Sequence, residues 1–224
     1  MFDINNDVHI VEENVEGSSV YVIDNFYKDP EEVLNIIFSV DPKVWKDDEV
    51  PSFNQVFFDD RRHFFKFSEI KKVYNFLGDL CKQKPLVHGN ADETAILTNL
   101  NRFKKCSFND YENNYWWPHK DVGYNGIIYL NPDERCGTNL YENLNPEEEP
   151  PDYSEHYRPW RNKKNFKLIK TIEPKYNRMV LFDGLKFTHG MNICNDDYFG
   201  ETYRINQIFF FEALDNEDQN PYNR

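Results

Sequence analysis

Cationic residues are scarce in this chain: 26 lysines and arginines stand against 39 aspartates and glutamates in 224 residues, a formal charge of −13. That balance argues against a large nucleic-acid footprint, because phosphate binding rests on cationic patches. Long apolar runs are missing too. None approaches the roughly 20 residues needed to span a bilayer. Residues 1–10 have neither the basic lead nor the apolar stretch of a secretory signal. The four cysteines (Cys81, Cys106, Cys136 and Cys194) form no C-x-x-C pair. This disfavours structural zinc and points to free buried thiols in a reducing compartment. The expectation is a cytoplasmic chain with no membrane partner and no nucleic-acid partner.

What is present suffices for one core. Hydrophobic residues make up 39% of the chain and aromatics 17%, while a mean hydropathy of −0.80 implies a very polar surface. The length suits a single domain over residues 1–224. Val20 to Phe26 reads as a strand. Asp29-Pro30-Glu31-Glu32 then has a capping aspartate, a proline at the first helical position and acids in the first turn. Val33, Leu34, Ile36, Ile37 and Val40 form that helix's apolar stripe. Residues 41–67 read mostly as loop. Ser68 is the expected cap of a second helix carrying Ile70, Val73, Tyr74, Leu77, Leu80 and Cys81 at helical spacing.

Short segments rich in β-branched and aromatic residues follow: 94–103, 126–131, 138–142, 166–172, 178–183 and 203–212. Turn signals such as Asn131-Pro132-Asp133 and Asp183-Gly184 separate them. Strands without intervening helices suggest an antiparallel sandwich or barrel. The expected fold class is therefore mainly β with flanking helices (α+β). Helical and strand support over about 20–93 lies outside a jelly-roll core over about 94–212, and a polar tail covers 213–224. Residues 144–165 interrupt this rhythm, either as a lid over a site or as a surface insertion.

The chemistry concentrates in Trp116-Trp117-Pro118-His119-Lys120-Asp121. In an extended strand, residues i and i+2 share a face, so His119 and Asp121 would present an imidazole beside a carboxylate. His189, in Thr188-His189-Gly190, offers a second imidazole. Together they would form a 2-His-1-carboxylate set, which holds Fe(II) on one side and leaves positions open. Arg204 is an available cation on the following strand. His9, His63, His88 and His156 have no partner pattern and are read as non-ligands.

These motifs occur in a fixed order. Pro118-His119-Lys120-Asp121 is followed by Ile127-Ile128-Tyr129-Leu130-Asn131-Pro132 and Cys136-Gly137-Thr138-Asn139-Leu140-Tyr141. Then come Asn177 to Asp183, His189-Gly190 and Tyr203-Arg204-Ile205-Asn206. So ordered, over roughly Val20 to Glu212, the chain resembles the 2-oxoglutarate- and Fe(II)-dependent oxygenases. The likeness is to the prolyl-hydroxylase-like branch of the double-stranded β-helix (cupin-like) fold. The resemblance implies that His119, Asp121 and His189 ligate Fe(II), and that Arg204 and Tyr129 bind the distal carboxylate of the cosubstrate 2-oxoglutarate. It also implies hydroxylation of an unactivated C–H bond with O2 as oxidant and release of succinate and CO2. Halogenating relatives lack the carboxylate, so Asp121 disfavours that chemistry.

Arg204 lies fifteen residues after His189. It keeps this role if the intervening turn is a hairpin; otherwise Arg178 or Lys186 is the alternative. A peptidyl substrate, a prolyl one included, and a small molecule both remain open, since the fold does not choose among substrates. A catalytically inactive jelly-roll module binding a ligand or partner is the competing reading. The sequence sets no oligomeric state.

Overall fold

The computed structural model describes residues 2–41, 46–47, 58–82, 84–85, 95–103, 110–121, 123–134, 137–146, 160–195 and 204–212. Its elements, in chain order, begin β1 (His9–Val15), β2 (Ser18–Asp24), α1 (Pro30–Ser39), β3 (Lys46–Asp47), β4 (Phe58–Lys66), α2 (Phe67–Cys81) and β5 (Lys84–Pro85). They continue with β6 (Ala95–Phe103), β7 (Asn114–Trp116), β8 (Tyr124–Tyr129), β9 (Thr138–Asn143), β10 (Trp160–Asn162) and β11 (Phe166–Ile172). The last three are β12 (Arg178–Asp183), β13 (Thr188–Met191) and β14 (Arg204–Glu212). The protein is mainly β, with antiparallel pairing throughout its described sheets.

Period-two alternation sorts the core into two layers. On β8, Ile127 and Tyr129 face one way and Ile128 the other; on β12, Val180 and Phe182 oppose Met179 and Leu181. The first set meets Leu140 and Ile172 of a three-stranded sheet ordered β11-β9-β13. The second set meets α1 and α2, through Val33, Leu34 and Ile37 of one helix and Ile70, Val73, Tyr74 and Leu77 of the other. The nine-stranded sheet, ordered β1-β2-β12-β8-β14-β6-β4-β3 with β5 also on β14, is thus covered by helices on one face and the small sheet on the other.

Local signals explain both helix starts. The Asp29 side chain accepts from the Glu32 N–H at 2.9 Å, as the sequence pattern predicts. Helix α2 starts differently from expectation. Its cap is Lys66, and the Glu69 carboxylate reaches back to the Lys66 N–H at 2.7 Å, so Ser68 lies inside the first turn. No helix among the described residues is long and apolar enough to cross a membrane.

The first 93 residues contribute more to the sheet than expected: β1 to β5 all join it. Residues 58–66, read as loop, form β4 and pair along their whole length with β6. The polar lead forms β1, joined to β2 by the two-residue turn Glu16-Gly17, with φ of 48° and 79°. Two successive positive φ values give the hairpin turn whose twist matches the strands. Cys81 is a buried free thiol as expected, but Cys194 is exposed; Cys106 and Cys136 lie outside the described residues, as does most of the 144–165 insertion.

Arg178 on β12 clamps Asp24 on β2, with Nε donating to Oδ1 at 2.6 Å and an Nη to Oδ2 at 3.1 Å. These bonds hold the Asp24 carboxyl at about 2, against partial burial, which pushes it up, and with help from Lys175. Its value is depressed relative to the unfolded chain, so the stability is present above pH ~4 and lost as pH falls through about 2. Asp24→Asn is expected to destabilise by about 1–2 kcal/mol at pH 7. Denaturant unfolding at pH 7 and near the folded-state value should show the gap between variant and wild type closing in acid.

Candidate metal centre

The site is assembled by backbone pairing between two distant segments. His119 and His189 form an antiparallel bridge: the His119 N–H donates to the His189 carbonyl at 2.9 Å, and the His189 N–H to the His119 carbonyl at 2.8 Å. The His119–Asp121 segment is therefore not a regular strand, as its spacing suggested, but one bridge followed by a second anchor. That anchor is the Asp121 N–H donating to the Gly184 carbonyl at 3.3 Å, in the turn between β12 and β13. Gly184 in turn donates to the Gly123 carbonyl at 2.7 Å.

Three side chains converge on this frame. Asp121 Oδ2 lies 3.7 Å from His119 Nε2 and 3.2 Å from His189 Nε2, and one ligand atom from each residue falls within 4.8 Å of the others. The imidazole centroids are 4.4 Å apart. The His189 side chain is 5% exposed, whereas His119 and Asp121 are 27% and 28% exposed. The set is closed behind His189 and open on the His119–Asp121 side. A small cation can be held there, in the manner of a 2-His-1-carboxylate site.

Hydrogen bonding selects the tautomer that ligation requires. His119 Nδ1 lies 2.7 Å from the Trp117 carbonyl. A carbonyl only accepts, so Nδ1 carries the proton and Nε2 keeps its lone pair. The Trp117 backbone sits in the left-handed region, φ 44°, immediately before Pro118. His189 Nδ1 makes a longer contact of the same sense, 3.4 Å to the Phe187 carbonyl. Burial pushes the Asp121 carboxyl up. When protonated, His119 through its charge and His189 through a hydrogen bond and its charge, together with the Asn125 amide, outweigh it and hold Asp121 well below the usual carboxylate range. The group is an anion at any neutral pH and needs no proton removed before it ligates.

Arg204 and Tyr129 meet as a second group. Arg204, buried at the start of β14, places its guanidinium carbon 5.9 Å from the Tyr129 ring centre, and the Tyr129 hydroxyl lies 2.6 Å from Thr138 Oγ1. Asn125, Ile127 and Tyr129 share one face of β8, four residues or about 13 Å from end to end. The triad lies at the Asn125 end and Arg204 at the Tyr129 end.

The hairpin expected between His189 and Arg204 is not what joins them. Strand β13 belongs to the small sheet and β14 to the large one, so the chain crosses between sheets. Arg204 nevertheless arrives over Tyr129. The two alternatives are engaged elsewhere, Arg178 with Asp24 and Lys186 Nζ with the Glu16 carbonyl.

Sequence reasoning missed Asn125. It is 1% exposed, and its Nδ2 lies 2.7 Å from Asp121 Oδ2 and 3.2 Å from His189 Nε2. The available signal was a polar residue in phase with Ile127 and Tyr129 on an otherwise apolar face. His9, a presumed non-ligand, is exposed on β1. Trp116 is buried against Trp160, with ring centroids 4.9 Å apart, and Trp117 is half-buried at 6.4 Å from the His119 ring. No family model matches the sequence, and no curated protein matches it.

Proposed function

We propose that this protein is a 2-oxoglutarate- and Fe(II)-dependent oxygenase. It would hydroxylate a C–H bond of a peptidyl or small-molecule substrate on a double-stranded β-helix core. The observation that carries the reading is the convergence of His119, Asp121 and His189 with their ligand atoms within 4.8 Å and His119 held by Trp117 in the ligating tautomer. Two neutral imidazoles and one ionised carboxylate fit a divalent first-row metal such as Fe(II). When bound, iron, 2-oxoglutarate and O2 supply the oxidising power for hydroxylation, and succinate and CO2 are released.

The chain's own part is to bind, orient and exclude water. His189, sealed behind the site, keeps solvent from that side. Arg204 offers a planar fork able to make two charge-assisted bonds to a carboxylate, with the Tyr129 and Thr138 hydroxyls nearby as further partners. Its placement along the face that leads to Asn125 and the triad suits a dicarboxylate extended between the two groups. Two facing antiparallel sheets, with the triad at one end of the layer between them, support the β-helix reading.

Anaerobic addition of Fe(II) and then 2-oxoglutarate should produce the visible charge-transfer band of an iron-chelated keto acid, and uncoupled succinate should form in air. Arg204→Ala should weaken 2-oxoglutarate about 10- to 100-fold, the loss of a charge-assisted contact of roughly 1.5–3 kcal/mol, and leave the metal affinity unchanged. A protein that takes the metal but gives neither band nor succinate is a metal-holding module, and the oxygenase reading fails.

A further inference from the structure

We infer that Asn125 is an exchangeable fourth member of the metal site, capping it when the ion is absent and presenting Oδ1 to the ion when it is bound. The inference rests on ion binding by the triad and does not depend on oxygenase chemistry.

An amide NH2 has two hydrogens and no lone pair available to a metal. Here it faces two acceptors, Asp121 Oδ2 at 2.7 Å and His189 Nε2 at 3.2 Å. These same atoms are 3.2 Å apart and carry the lone pairs that a cation would take. Asn125 thus stands in for part of the ion's role, holding an anion and an imidazole in place without it. A bound cation reverses the preference. It takes the His189 lone pair and repels the N–H hydrogens, whereas a carbonyl oxygen is a hard donor suited to divalent ions.

The amide cannot leave the site. Asn125 is 1% exposed on a central strand of the large sheet. It can turn over within the site, because Oδ1 is buried and has no hydrogen-bond partner among the described residues. Either orientation leaves one end of the amide unpaired, so the end facing the triad decides. An orphaned acceptor here stands out because buried polar atoms are normally satisfied.

With Oδ1 ligated, the protein supplies four donors and leaves two positions of an octahedral site. Turning the amide back frees a third. The residue would therefore limit how many small molecules reach the ion at once.

Co(II) and Mn(II) serve as probes. Co(II) affinity, followed by its visible absorption, should fall about tenfold in Asn125→Leu. Water-proton relaxation by bound Mn(II) should report two inner-sphere waters in the wild type and three in that variant. Asn125→Asp, which keeps an oxygen donor, should retain the two-water count. Circular dichroism of each variant establishes that it is folded. Equal water counts in wild type and Asn125→Leu, or tighter Co(II) binding by Asn125→Leu, would overturn the inference, since the amide would then only cap. If the wild type binds neither probe, the triad reading itself falls and this inference with it.

Discussion

His189→Ala is expected to give a folded protein that no longer retains a divalent ion. Removing any one of the triad's three candidate ligands leaves two of them, but position 189 is the one whose loss cannot be compensated. Its side chain is 5% exposed, so water is not available to replace the imidazole from behind. Asp121 Oδ2, 3.2 Å from His189 Nε2, also loses a partner that keeps it charged and in place. Changes to residues that only support ligands typically cost 10–100-fold in metal affinity, so loss of a ligand should exceed about 100-fold. The cost to stability is smaller. The ring packs edge-on against Phe182 at 4.9 Å, and the cavity left by truncation should cost about 1–3 kcal/mol. Co(II) titration and the Fe(II)–2-oxoglutarate band read the first effect, and denaturant unfolding reads the second. Wild-type ion affinity in a folded His189→Ala protein would show that the three side chains meet for some other reason.

Why those three residues were legible in the sequence, and others were not, follows from how each is placed. His119 and Asp121 announce themselves by two-residue spacing, which holds in extended backbone whether or not a sheet continues past one bridge. His189 is set by its pairing with His119, a contact across seventy residues that no local pattern encodes; only the order of motifs pointed to it. Strands β2, β8, β9, β11, β12 and β14 were readable because burial on at least one face imposes apolar character. Strand β1, largely exposed and rich in acids, and β4, with Asp59, Asp60, Arg61, Arg62 and His63 in its middle, carry no such signal. Long-range backbone pairing makes them strands. Three-residue strands β7 and β10 are too short to show a period. Asn125 escaped because the strand was expected to begin at Gly126, whereas β8 starts at Tyr124 and takes Asn125 in. Arg204 reaches Tyr129 by a route other than the one expected: a hairpin was anticipated, but a crossing between sheets delivers it.

Gly190→Ala should damage fold and site together. A Cβ at this position would lie 2.5 Å from the Trp116 carbonyl oxygen and 3.0 Å from that of Trp117. Both are backbone atoms, so no side-chain rotation relieves the clash, and β13 or residues 116–117 must move. Overpacking of this kind costs about 1–3 kcal/mol, more where backbone is displaced, so a loss of about 2–4 kcal/mol is expected. The displaced atoms also serve the site. The Trp117 carbonyl fixes His119 in its ligating tautomer at 2.7 Å, and Gly190 follows directly on the residue bridged to His119. Ion affinity should therefore fall about tenfold in the fraction that remains folded, as for other losses of ligand support. Gly17→Ala is the control. It sits in the β1–β2 turn with φ 79° and only Lys186 Nζ near its new methyl, at 3.7 Å, so it should cost about 1–2 kcal/mol from backbone conformation alone and leave ion binding untouched. Equal denaturation midpoints for Gly190→Ala and wild type would mean the two segments are not packed at the distance that lets His119 and His189 share an ion.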